Sequence, residues 1–107
     1  MSKPEFVELV LTCGSWQEAQ NIVDTLLKQR LIACVEFIEV KSKYWWKHQL
    51  EEAKEVKLIM QSLSKHFDTI ETEVKKLHSY DTFVLHAIPL TQTSKEATKW
   101  LNEQVEE

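Results

Sequence analysis

From Leu31 to Lys43 the chain reads as one extended segment, and few folds can accommodate it. Ile32, Ala33, Cys34, Val35, Phe37, Ile38 and Val40 crowd both faces at first and then alternate with charge. Strands in globular domains typically run about five or six residues, so this one projects beyond an ordinary sheet. The aromatic run Tyr44-Trp45-Trp46 follows, then polar Lys47, His48 and Gln49. A second extended segment runs from about Ala53 to Ser62, with Val56, Leu58 and Met60 on one face and Ile59 on the other. The simplest arrangement of two such segments is a long hairpin.

The remaining segments specify what the hairpin belongs to. From about Glu5 to Thr12, Val7, Leu9 and Leu11 alternate with Glu8 and Thr12, which is strand periodicity. Gly14 and Ser15 break that strand, and Ser15 with Glu18 reads as a capping box. The helix that follows sets Trp16, Ala19, Ile22, Val23, Leu26 and Leu27 on one stripe. Ser64 can cap a second helix, with Phe67, Ile70, Val74 and Leu77 at helical spacing. Thr82 to Leu90 is apolar on both faces, as expected of a strand buried on both sides, with Pro89 near its end. Ser94 opens a terminal helix carrying Ala97, Trp100, Leu101 and Val105.

The order is β-α-β-β-α-β plus a C-terminal helix, an α+β ferredoxin-like sandwich with a long hairpin between its second and third strands. One domain over residues 1–107 suits this length. A single glycine leaves few turns that can use positive φ, which favours long regular elements. Two helices cover one face of the sheet. Ala33, Val35, Phe37 and Ile59 are too many for helices on the opposite side to hide. Self-association is the economical cover, and a projecting hairpin offers its edges to another subunit.

The net charge of −4 argues against a sequence-independent nucleic-acid binder. No stretch approaches the roughly 18 apolar residues of a membrane span. No apolar run follows a basic segment at the N-terminus, so no secretory leader is expected. Two cysteines do not make a disulfide framework, and the expectation is a reduced, cytoplasmic protein.

Cys13 and His78 are the first candidates for chemistry, because a soft thiolate and an imidazole suit copper or zinc. Cys13 ends a strand beside a helix start, where a thiol pKa falls. The alternative is a small buried Cys and a lone loop His. Cys34, in an apolar run, reads as a core thiol. His86 reads as a hydrogen-bonded core or interface residue, and His48 and His66 as surface residues. Tyr44, Trp45 and Trp46, beside Lys41, Lys43 and Lys47, can stack on a planar ligand or pack against a neighbouring subunit. Glu51, Glu52 and Glu55 can bind a hard cation or simply form a solvated face. Asp81 can cap the turn before the last strand. No nucleophile elbow, phosphate loop, CxxC pair or HExxH helix is present, so an enzyme is not expected.

Several phrases, in order, resemble the CutA divalent-cation tolerance family. Leu26-Leu27-Lys28-Gln29-Arg30-Leu31-Ile32-Ala33-Cys34-Val35 looks like the family's first helix end and second strand start. Tyr44-Trp45-Trp46 is similar to its Tyr-x-Trp hairpin tip, and Glu55-Val56 to its third strand. His78-Ser79-Tyr80-Asp81 is similar to its His-Pro-Tyr-Asp phrase, Ile88-Pro89-Leu90 to its Leu-Pro-Ile, and Trp100-Leu101 to its terminal Trp-Leu. The resemblance implies a homotrimer similar in fold to PII signalling proteins, tolerance to divalent metal ions, and copper or another divalent cation as the bound ion. Cys13 and His78 remain the candidate metal residues on their chemistry, and the resemblance implies a cleft between protomers at Glu55, which Tyr80, Asp81 and Trp46 can line. The chain departs from the family pattern at Leu11, Leu77, Ser79, Phe83-Val84 and His48. The departures at Leu11, Leu77 and Phe83 favour an alternative, a PII-like regulatory or structural trimer that binds a small molecule or protein partner without metal ligation.

Overall fold

Alternation of side chains decides which face of each strand meets the helices, and the computed structural model, which describes residues 6–105, follows it closely. Strand β1 (Phe6–Cys13) buries Val7, Leu9, Leu11 and Cys13 and leaves the intervening residues half-buried. Its expected start at Glu5 lies outside the described residues. Helix α1 (Trp16–Lys28) begins at Ser15, whose Oγ accepts the Glu18 N–H at 3.2 Å. Ala19, Ile22, Val23 and Leu26 form its buried stripe. The helix closes with Leu31 N–H on the Leu26 carbonyl and Arg30 N–H on that of Leu27, both at 3.0 Å. This is a Schellman cap with Arg30 at φ 56°, where glycine is usual.

Strands β2 (Cys34–Trp46) and β3 (Gln49–Leu63) make the long hairpin, paired without interruption from Cys34↔Gln61 to Trp46↔Gln49. The aromatic run is therefore part of the arm. Lys47 and His48, both in the left-handed region at φ 49° and 67°, form its two-residue turn. One 3-10 turn (Ser64–His66) leads into α2 (Phe67–Leu77), then β4 (Leu85–Pro89) and α3 (Lys95–Gln104). The antiparallel sheet runs β2-β3-β1-β4, the ferredoxin-like order. The core lies between the β1 and β3 side chains Leu9, Leu11, Leu58 and Met60 and the helix side chains Ile22, Leu26, Ile70 and Val74. Arg30 Nη1 donates to the Gln104 carbonyl at 3.1 Å and ties α3 to the end of α1.

Four expectations are corrected. Val35 and Phe37 stand opposite Met60 and Leu58, on the helix-covered face, and pack against the core. Phe37 stacks on Trp16 at 5.5 Å. The uncovered face carries instead Val10, Ile38, Ile59 and Ile88. Strand β4 is not buried on both sides: it is shorter than Thr82 to Leu90, pairs only with β1, and is exposed along most of its length. Its outward side chains His86 and Ile88 belong to the uncovered face, so His86 is exposed rather than part of a core. Ser64 does not cap α2, because the 3-10 turn intervenes and α2 starts after His66 without a side-chain cap. Leu77 is the last residue of α2 and remains exposed.

Candidate metal centre

At the end of β1 the strand parity carries Cys13 into the core, where it is fully buried. The chain then turns through Gly14 into α1, and one turn along the helix Glu18 reaches back. Its Oε2 accepts the Gly14 N–H at 2.8 Å and its Oε1 accepts the Ser79 N–H at 2.5 Å. One carboxylate thus joins the start of α1 to the segment following α2.

His78 caps the C-terminus of α2 with extended backbone angles. Its Nε2 lies 2.8 Å from the Thr12 carbonyl oxygen, which can only accept. Nε2 therefore carries the proton, and Nδ1 offers the lone pair that accepts the Tyr80 N–H at 3.1 Å. Nδ1 also faces Glu18 Oε2 at 3.8 Å. The ring is fully buried, stacked on Phe83 and tilted against Tyr80. Ligand atoms of Cys13, Glu18 and His78 lie within 4.8 Å of one another.

Tyr80 continues the network. Its hydroxyl donates to Glu55 Oε2 at 2.7 Å, and Glu55 is itself buried, opposite Val40 in the hairpin. The ring lies against Gly14 so closely that a Cβ there would meet Tyr80 Oη at 3.1 Å. The chain's one glycine stands where this tyrosine needs the room.

The electrostatics separate the acids from the thiol. Burial, then the Glu18 and Glu55 charges, push the Cys13 thiol up to about 12. This reverses the expectation of a lowered pKa at a helix start, because the thiol sits in the core beside two carboxylates. Burial and the hydrogen bond to Glu55 likewise raise Tyr80. For Glu18, burial works upward, but hydrogen bonds from Ser79 and Gly14 outweigh it and hold the carboxyl below its ordinary value.

Of the residues singled out from sequence, Cys13 and His78 meet, and so do Glu55 and Tyr80. Asp81 is exposed in the loop. Trp46 is at the hairpin tip, six residues along the arm from Glu55's partner Val40, or roughly 20 Å. Within one chain it shares no pocket with Glu55 and Tyr80. Lys47 Nζ lies 5.8 Å from the Trp46 ring centroid. Cys34 is half-buried on the uncovered face, its Sγ 3.5 Å from Gln61 Oε1, and is not a core thiol. Glu51 is exposed, and Glu52 pairs with Lys41 and Lys43 on the exposed arm. Glu18 was legible only as a capping-box partner, and its place beside Cys13 and His78 was not foreseen.

Sulfur, imidazole nitrogen and carboxylate oxygen suit zinc or copper. The donors fit such an ion, at a cost. The thiol must lose a proton held up to about 12, and Nδ1 must give up the Tyr80 N–H.

Comparison with known proteins gives a consistent set. Residues 7–104 match the family model described as CutA1 divalent ion tolerance protein. The chain is 38% identical over 98 residues to the divalent-cation tolerance protein CutA of Archaeoglobus fulgidus, covering 92% of this chain and 96% of that one. It is 36% identical to the Pyrococcus horikoshii protein of the same name, covering 87% and 91%. The solved structure of the periplasmic divalent cation tolerance protein CutA of Archaeoglobus fulgidus superposes with a TM-score of 0.92 at 37% identity, over 94% of this chain and 99% of that one. Rice CutA1 shares the fold at a TM-score of 0.93 and 22% identity, over 97% and 96%.

Proposed function

The chain belongs to the CutA1 divalent ion tolerance family, and on that footing we propose that it is a homotrimeric, non-enzymatic protein that takes up a divalent cation, copper or an ion of similar chemistry, at Cys13, Glu18 and His78. One observation carries this reading: three donors from β1, α1 and the segment after α2 converge within 4.8 Å in a site shielded from water. Cys13 as a thiolate and Nδ1 of His78 would hold the ion, which would supply the positive charge that favours loss of the thiol proton. Glu18 supplies the negative charge that an ion needs in a buried place. Assembly is supported by the uncovered apolar face and by the arm, whose Tyr44, Trp45, Trp46 and Leu50 are exposed in one chain. Two free thiols on opposite faces of the sheet suit a reducing, cytoplasmic setting. Among the described residues no helix is long and apolar enough to cross a membrane.

The second reading is a PII-like regulatory or structural trimer that binds a small molecule or protein without a metal. It is favoured by the engagement of His78 and Glu18 with backbone groups and by the protonated state of Cys13. Calorimetric titration with copper(I), copper(II) and zinc(II) separates the two. Binding that disappears in Cys13→Ser or His78→Ala supports the metal reading, whereas heats at background for all three ions leave the second.

A further inference from the structure

Resting on the metal reading, we infer that Tyr80 is a latch: the bond from its amide to His78 and occupation of the cluster by an ion exclude one another, so that an ion loosens the closure of Tyr80 on Glu55. The tautomer of His78 forces this conclusion. Nε2 is committed as a donor to the Thr12 carbonyl, so Nδ1 is the ring's one free lone pair, and it is the nitrogen that faces Glu18. That lone pair already accepts the Tyr80 N–H. It cannot hold the amide and an ion at once.

Tyr80 is fastened at two points, its amide on His78 and its hydroxyl on Glu55 Oε2. Its ring lies between them, against Gly14. Loss of the amide bond removes one of the two fastenings of Tyr80 and leaves its hydroxyl as the other, while the Ser79 amide still holds the neighbouring backbone on Glu18. Glu55 is buried, and its partner position Val40 lies on the sheet face that the helices leave uncovered. Opening of the latch therefore frees an acidic group toward that face. Information about the ion passes from a buried cluster to a surface that a second molecule can read.

The same geometry separates neighbouring amides. Oε2 of Glu18 faces His78 and accepts from Gly14, whereas Oε1 points away from it to Ser79. An ion held between Nδ1 and Oε2 takes the lone pair that accepts the Tyr80 amide, whereas Oε2 keeps a second lone pair for Gly14 and Oε1 keeps Ser79.

Zinc(II) titration of the full chain, followed by calorimetry and by amide hydrogen exchange resolved at residues 14, 79 and 80, tests the latch. The expected result is exchange at Tyr80 faster by tenfold or more on zinc saturation, with Gly14 and Ser79 still protected. Tyr80→Phe removes the hydroxyl bond but keeps the ring, and should bind zinc roughly tenfold more tightly because less closure must be undone. Zinc that binds wild type while Tyr80 stays protected, or while all three amides open alike, overturns the latch and leaves the metal reading standing. Equal or weaker affinity in Tyr80→Phe, with an unchanged urea midpoint, does the same. No zinc binding to wild type overturns both.

Discussion

Glu18 is where the backbone at the start of α1 and the backbone after α2 are held together, and the strength of that clamp depends on its charge. Charge-assisted hydrogen bonds contribute about 1.5–3 kcal/mol each, so Glu18→Gln, which keeps one acceptor oxygen, should cost roughly 1–3 kcal/mol. The pH dependence has a definite sign. The folded carboxyl titrates below its ordinary value of 4.5, so its contribution is fully present above that value and is lost as pH falls through the folded pKa. Urea midpoints taken from pH 7 down to pH 3 should fall more steeply below about pH 4.5 for wild type than for Glu18→Gln. Parallel curves would mean that the clamp contributes nothing through its charge. Cys13 makes a second prediction. A buried thiol pushed up to about 12 is no nucleophile at pH 8, so native protein should modify first at half-buried Cys34. Labelling at Cys13 should proceed only as fast as the protein opens, which mass spectrometry of the labelled peptides can time. The chemistry of Cys13 and His78 was legible because residue type alone announces it. Glu18's second role was not, since its bond to Ser79 spans 61 positions and leaves no local signature.

The hairpin turn shows how an element can be right in outline and strained in detail. Lys47 and His48 both adopt left-handed angles without being glycine or asparagine. Such angles cost an L-residue about 1–2 kcal/mol, and two-residue turns of this kind favour Asn-Gly. Lys47→Asn with His48→Gly should therefore raise stability by about 1 kcal/mol, part of the gain being offset by the greater freedom of glycine in the unfolded chain. A shifted urea midpoint at constant slope is the expected reading, and an unchanged midpoint would show that the turn is already relaxed by its surroundings. Arg30 is a different case at a similar φ, because glycine there would also release the Gln104 carbonyl that Arg30 holds. At this scale the sequence was readable wherever periodicity runs long. Strand β1, helix α1 and the two arms of the hairpin follow from alternation and spacing. Strand β4 misled because apolar residues on both sides look the same whether the second side is covered within the chain or left open at an edge. Val35 and Phe37 misled because the crowded start of β2 gave no parity, which only pairing with Met60 and Leu58 supplies.

The whole molecule measures 46 × 26 × 23 Å, with a radius of gyration of 14.7 Å. A chain of this length packed into a sphere-like domain would have about 13 Å. The excess is the arm, and the arm is apolar where it projects. Trp45 and Leu50 stand directly opposite one another near its tip, 70% and 68% exposed. Covering each such side chain contributes about 1.5–3 kcal/mol, which no contact within the chain supplies. Three copies exchanging arms would supply it, so wild type should sediment at about three times its 12.6 kDa chain mass at micromolar concentration. Trp45→Ser with Leu50→Glu should weaken assembly by roughly a hundredfold or more per interface. Trp45 and Leu50, in the projecting end of the arm, lie outside the core formed by β1, the base of β3 and the two helices, so the variant's far-ultraviolet circular dichroism should stay that of wild type. Tryptophan emission separates the outcomes. Trp46 should shift to the red when assembly is lost, because it leaves an interface for water, whereas Trp16 should not, since its stack on Phe37 is made within one chain. A wild-type protein that sediments at a single chain mass, with its arm tryptophans already open to quenchers, would mean that the projecting strands meet water and that something other than a second copy is their partner.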